Sequence, residues 1–158
     1  MVTQKTTEII LIRYCQEITP LIYTPTIGEA CLRWSEIYTE HEGYTLSYSD
    51  KGNIRKVIKD WHLDAEITVI TDGSRILGLG DLGTNGLGIP IGKLVLYTAC
   101  AGIRPERTLP VIIDLGTNNK QLLADPVYKG SRRERVSNQE ELDFLDELML
   151  AFTERWPR

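Results

Sequence analysis

The stretch "ITVITDGSRILGLGDLGTNGLGIPIGK", Ile67 to Lys93, joins an apolar run to a glycine-rich segment and ends on a lysine. Its reading decides the fold. Ile67–Thr71 is β-branched and strand-like. Asp72–Gly73 is a two-residue hairpin signal, so Arg75–Leu79 is expected to return as a second, antiparallel strand. Gly78, Gly80 and Gly83 spell G-x-G-x-x-G. A dinucleotide fingerprint, however, needs a strand that turns directly into a helix, whose N-terminus holds the pyrophosphate, and an acid about 20 residues further on. Here the glycines follow a return strand, no helix is expected before Pro90, and Ile103 holds the distant position. Gly88–Lys93 approaches a P-loop, but Leu87 stands where its first glycine belongs and Leu94 follows the lysine in place of Ser or Thr. The segment reads as a close-packed loop that delivers Lys93, not as a phosphate cradle.

Working outward, Pro90–Ala101 is expected to be a helix, with Pro90 near its first turn and Gly102 at its end. Lys93 then falls in the first turn, where the helix dipole disfavours a cation. That placement suits a general base; the plainer alternative is a lysine with a packed stem and a solvated ammonium. "TLPVIIDLGTNN" reads as a buried strand running into a loop, and "YTLSYSDKG" as a short strand ending in a turn at Asp50–Gly52. Asn53–Trp61 reads as a helix. In the tail, Leu142, Leu145, Leu148, Met149 and Phe152 recur at helical spacing. Toward the N-terminus, Thr6–Ile18 is expected to be a mostly buried helix carrying Ile9, Ile10, Leu11 and Ile12. Pro20 and Pro25 break the chain after it, and Thr26 with Glu29 fits a capping box opening a helix through Tyr38. Tyr23 falls in the extended stretch between. Helices alternating with short apolar strands indicate a layered α/β domain.

The 158 residues carry a net charge of −4, 42% hydrophobic and 25% charged residues. This suits one soluble domain spanning 1–158 and leaves no electrostatic footprint for nucleic acid. The basic run Arg132–Arg133–Glu134–Arg135 is expected to be a solvated loop. Three widely spaced cysteines (Cys15, Cys31, Cys100) argue against a disulfide frame and for a reducing compartment, so the chain is expected to be cytoplasmic. The two histidines, His41 and His62, are too few for a histidine-rich metal site. No apolar run reaches membrane-spanning length.

"LIYTPTIGEAC", "VITDGSRILGLGDLGTNGLGIPIGKLVLYTACAGI", "LPVIIDLGTNN" and "LLADPVY" together resemble the N-terminal domain of malic enzymes. The wording "GEACLRWSEIY" and "GTNNKQLLADP" is nearest the bacterial NAD-type malic and malolactic enzymes. The resemblance runs from about Thr6 to Trp156, in the family's order. It implies a three-layer α/β/α fold with a short, mostly parallel sheet. It also implies oxidation of L-malate with NAD(P), decarboxylation, and protonation of the enolate to pyruvate, with Mg²⁺ or Mn²⁺ as Lewis acid. By motif, Tyr23 resembles the acid that protonates the enolate and Lys93 the base that takes the hydroxyl proton. Arg75 resembles the residue that grips the substrate carboxylate.

The family's metal-ligating acidic segment and its NAD-binding domain have no counterpart in the motifs found here. The expectation is therefore the substrate-binding, acid/base half of a malic enzyme, with no ligand set for metal or cofactor. It would need a separate NAD-binding half for full turnover, and the family's habit points to a homodimer. The alternatives are a stand-alone domain with residual enolpyruvate/pyruvate tautomerase chemistry, or a non-catalytic dimerising subunit.

Overall fold

Thr108–Asp114 has a strand on each side, both parallel to it, and this arrangement sets the rest of the architecture. The structure, a computed structural model, describes residues 4–37 and 43–157; His41 and the expected helix end at Tyr38 lie outside them. In chain order the elements are α1 (Gln4–Arg13), α2 (Cys15–Ile22), α3 (Thr26–Leu32), α4 (Trp34–Ile37), β1 (Tyr44–Ser47), α5 (Ile54–Lys59), β2 (Ile67–Thr71), α6 (Gly88–Ala101), β3 (Thr108–Asp114), α7 (Lys120–Ala124) and α8 (Asn138–Arg155). The sheet order is β1-β3-β2.

As the central strand, β3 reads as a nearly unbroken apolar run, which both faces of a covered parallel sheet require. Leu109, Val111 and Ile113 point into a core shared with Ile54 and Ile58 of α5 and Phe144 and Leu148 of α8. α6 covers the opposite face of β2 and β3. Helices on both faces of a parallel sheet make the three-layer α/β arrangement. Pro110 has no N–H for the ladder, yet β1 pairs with β3 only from Val111 onward, so Pro110 lies beside β2 alone.

Four expectations change. Asp72–Gly73 does not open a hairpin, and among the described residues the three strands of the sheet are all parallel. Instead the Asp72 carboxylate accepts hydrogen bonds from the N–H and hydroxyl of Ser74, an Asx turn. Gly78 and Gly80 then curl the chain with φ of 77° and 80°, leaving one isolated antiparallel bridge, Ile76 to Gly80. The N-terminal helix is neither continuous nor buried. It breaks at Tyr14 (φ −118°, ψ 33°) and not at Pro20, which sits inside α2. Ile9, Ile10 and Ile12 are exposed.

Thr26 caps nothing. Its hydroxyl donates to the Pro20 carbonyl (2.8 Å), and Pro25 occupies the N-cap of α3. In α8 the buried face is Phe144, Leu148 and Ala151, while Leu142 and Met149 face solvent. The turn at 50–54 fixes that rotation, because the Glu147 carboxylate of α8 accepts from the N–H groups of Gly52 (2.7 Å) and Ile54 (3.0 Å).

α8 opens on a capping box. Ser137 accepts from the Glu140 N–H, and the Glu140 carboxylate accepts from both the Ser137 N–H and hydroxyl. Tyr48 donates a further hydrogen bond to Glu140 (3.0 Å). The Ser137 hydroxyl, its N–H and the Tyr48 hydroxyl, in that order, hold the Glu140 carboxyl down at about 2 against an ordinary 4.5. A depressed carboxylate stabilises the fold above its unfolded value and loses that contribution as pH falls through its folded value. Wild-type stability is therefore expected to drop more steeply than that of Glu140→Gln between pH 4.5 and 2. Urea titrations across that window check this, and parallel pH profiles would refute it.

Candidate active site

α6 grows out of a 3₁₀ turn at Gly83–Leu87 and begins at Gly88, earlier than Pro90. Lys93 therefore lies in the second turn, not the first, and the dipole argument for it lapses because that effect fades within one turn. Its position rests on packing. A Cβ on the adjacent Gly92 would stand 3.0 Å from Ile27 Cγ1 and 3.1 Å from both the Ile22 carbonyl and Tyr23 Cδ2. The bare backbone lets α6 press against the corner between α2 and α3. Tyr23 sits at that corner, capping α2, and is pinned on both sides. Its N–H donates to the Thr19 carbonyl (3.0 Å) and its own carbonyl accepts from the Ile27 N–H (2.7 Å). Lys93 Nζ thus comes over the Tyr23 ring, 5.4 Å from its centroid.

Arg75 reaches the same place from the loop that follows β2. The loop following β2 turns back at Gly73, where φ is +68° and a Cβ would fall 1.9 Å from the Gly83 carbonyl oxygen. Only glycine fits there. The Leu82 N–H donates to the Gly73 carbonyl (2.9 Å), closing the loop at its base. Its tip, with Arg75 and Leu77, lines a cleft of about 660 Å³ that Lys93 also lines. Tyr23, Arg75 and Lys93 all line this cleft, with Glu29, Leu32 and Ile89 between them. The arrangement offers a phenol, an amine and an exposed guanidinium around an otherwise largely apolar hollow. That set can bind a carboxylate and move protons. Leu77 stands at the mouth, 99% exposed.

One residue that holds the site was not legible in the sequence. Arg135, expected in a solvated loop, has a side chain only 10% exposed. Its guanidinium donates to Asp72 (2.7 Å) and Asp81 (3.2 Å), the residues flanking the loop that carries Arg75. Asp81 also accepts from the N–H groups of Gly83 (2.9 Å) and Asn118 (2.8 Å), joining this loop to the end of β3. The neighbouring Arg133 lies over the Tyr48 ring and Arg132 donates to the Pro126 carbonyl. Nothing in R-R-E-R distinguishes the arginine that turns inward.

The described residues group no ligand set for a metal ion and form no strand-to-helix glycine cradle for a dinucleotide. Among the described residues no three His, Cys, Asp or Glu side chains are grouped to hold a metal, and His62 is exposed. The later glycines of the segment are packed against the protein itself: a Cβ at Gly86 would lie 3.0 Å from Gly73 Cα, and one at Gly88 2.6 Å from Cys31 Sγ, whereas Gly78 and Gly80 have open space beside them. No glycine of the segment joins a strand directly to a helix, as a dinucleotide cradle requires. No helix among the described residues is long and apolar enough to cross a membrane.

The family model of the malic enzyme N-terminal domain matches residues 2–158. NAD-dependent malic enzyme 2 of Photobacterium profundum is 54% identical over 145 residues, covering 91% of this chain and 26% of the relative. NAD-dependent malic enzyme of Acinetobacter baylyi is 52% identical over 145 residues, with the same coverage. That of Idiomarina loihiensis is 49% identical over 149 residues, covering 94% of this chain and 26% of the relative. The chain thus spans about a quarter of the length of the curated relatives it matches.

Proposed function

The chain belongs to the malic enzyme N-terminal domain family, and from that premise we propose that its cleft is the substrate-binding and acid/base half of a malic enzyme active site. The observation that carries this reading is the meeting of Tyr23, Arg75 and Lys93 from three separate segments around one hollow. The reaction assigned is the oxidative decarboxylation of L-malate to pyruvate and CO₂, with NAD, on which the relatives' names say they depend, as hydride acceptor.

Arg75 grips a malate carboxylate through a charge-assisted, forked hydrogen bond, which fixes the substrate's orientation. Lys93 takes the C2 hydroxyl proton as C2 is oxidised. After CO₂ leaves, the Tyr23 phenol gives its proton to C3 of the enolate. The ammonium formed on Lys93 returns its proton to the phenolate, so the pair ends each cycle as it began. Because the described residues fit neither dinucleotide nor metal, we assign both to a further segment or a separate chain.

The purified chain, given malate, NAD and Mn²⁺, is expected to produce no reduced cofactor. Adding or fusing the NAD-binding portion of one of the relatives is expected to start turnover. Reduced NAD from the chain alone would overturn the half-site reading, and silence in the fused protein would overturn the malate reading. The exposed Ile9, Ile10 and Ile12 of α1 support a homodimer, which light scattering tests: a strictly monomeric chain would rule it out.

A further inference from the structure

We propose that Cys15 and Cys100 form a reversible dithiol–disulfide site that ties α2 to α6. Their Sγ atoms stand 3.2 Å apart although 85 positions separate them in the chain. Cys15 is the first residue of α2 and Cys100 the penultimate residue of α6, and these helices pack on each other. A disulfide brings its sulfurs to about 2.0 Å, so the closure still needed is only roughly 1 Å. Cys100 is exposed and Cys15 half-buried, so an oxidant meets Cys100 first and Cys15 is in place to resolve it. The Cys15 thiol beside it holds the Cys100 thiol above its ordinary range, which slows the attack without preventing it. The third cysteine is the internal contrast. Cys31 is buried against Gly88, and burial pushes its thiol up to about 11.

With a peroxide as oxidant the chemistry balances in two steps. The Cys100 thiolate attacks one peroxide oxygen, the O–O bond breaks, and the released hydroxide takes a proton to leave as water. The Cys15 thiol then attacks the Cys100 sulfenic sulfur. The S–S bond forms, the S–O bond breaks, and a second water leaves with the Cys15 proton. Two sulfurs give up one electron each and the peroxide takes both.

The location gives the bond a consequence. α2 runs from Cys15 to the cap at Tyr23, and α6 carries both Lys93 and Cys100. Joining their far ends makes one covalent frame of the two helices that hold the amine and the phenol. This consequence, though not the cross-link itself, rests on the acid–base reading above.

The test treats the full chain with hydrogen peroxide and maps its peptides without reduction. A Cys15–Cys100 cross-link is expected, with the intact mass falling by two hydrogens and recovering in dithiothreitol. Cys31→Ser should cross-link like wild type, whereas Cys15→Ser and Cys100→Ser should not. Amide exchange across 15–23 is expected to slow by roughly tenfold in the oxidised protein. Oxygenated but unlinked cysteines, or a link between two chains, would overturn the site. A cross-link with unchanged exchange would overturn its effect on α2. Should a serine variant fail to fold, the wild-type map alone still decides. Neither readout uses malate, so failure here is separable from failure of the malate reading.

Discussion

Lys93→Ala, assayed in a protein joined to an NAD-binding portion, should lose ~10²–10⁴-fold in kcat with little change in KM, the range a positioned general base supplies. The separation of effects matters more than the size. Lys93 is held over the Tyr23 ring, and the carboxylate grip is assigned to Arg75, so removal of the amine should leave carboxylate binding largely intact. Tyr23→Phe keeps the ring under Lys93 and removes only the hydroxyl. It should therefore lower kcat for the overall reaction while malate oxidation to the ketoacid survives. In contrast, Arg75→Ala should raise KM about 10-fold or more and change kcat less, because the lost contact is present before as well as during reaction. Stopped-assay product analysis with steady-state kinetics checks all three. A Lys93→Ala protein that keeps kcat within a few-fold of wild type would remove the amine from the mechanism.

The elements with one dominant signal were legible in the sequence. β2 and β3 are short β-branched or apolar runs bounded by turn residues; Ile67–Thr71 matches the strand formed, and the run that begins at Thr108 forms β3 as far as Asp114. The C-terminal helix was equally plain as a helix, but its buried face was not. Leu142 and Met149 fit the periodicity as well as Phe144 and Ala151 do. What selects the face is the hydrogen bonding of Glu147 to the 50–54 turn, a contact across more than ninety residues. Asp72–Gly73 failed for a different reason. The dipeptide permits both a hairpin turn and an Asx turn, and its partners, Ser74 and the distant Arg135, decide between them.

The site divides the same way. Motif resemblance could name Tyr23, Arg75 and Lys93, yet spacing could not show that they meet. Their meeting depends on Gly92 and Gly73, whose missing side chains permit two close backbone approaches. The dipole reading of Lys93 failed because the 3₁₀ turn brings the helix start forward to Gly88.

Arg135→Ala should be strongly destabilising although it lies outside the cleft. The guanidinium bridges two carboxylates whose side chains are 20% and 19% exposed. Removing it strands both charges in a poorly solvated corner. Breaking a buried pair in this way costs 3–5 kcal/mol, and the partial exposure of the acids argues for about 3 here. For a domain of this size that corresponds to a Tm lower by on the order of 10 °C. Arg135→Lys should recover only part of the loss, since one ammonium cannot reproduce a fork reaching Asp72 and Asp81 together. Asp72 and Asp81 flank the loop whose tip carries Arg75, so the lysine variant should also raise KM for malate while leaving kcat near wild type. Calorimetry and kinetics on the same pair of variants separate the two effects. A Tm for Arg135→Ala within about 2 °C of wild type would mean the ion pairs add little to stability. A wild-type KM in Arg135→Lys would mean that Arg75 finds its place without them.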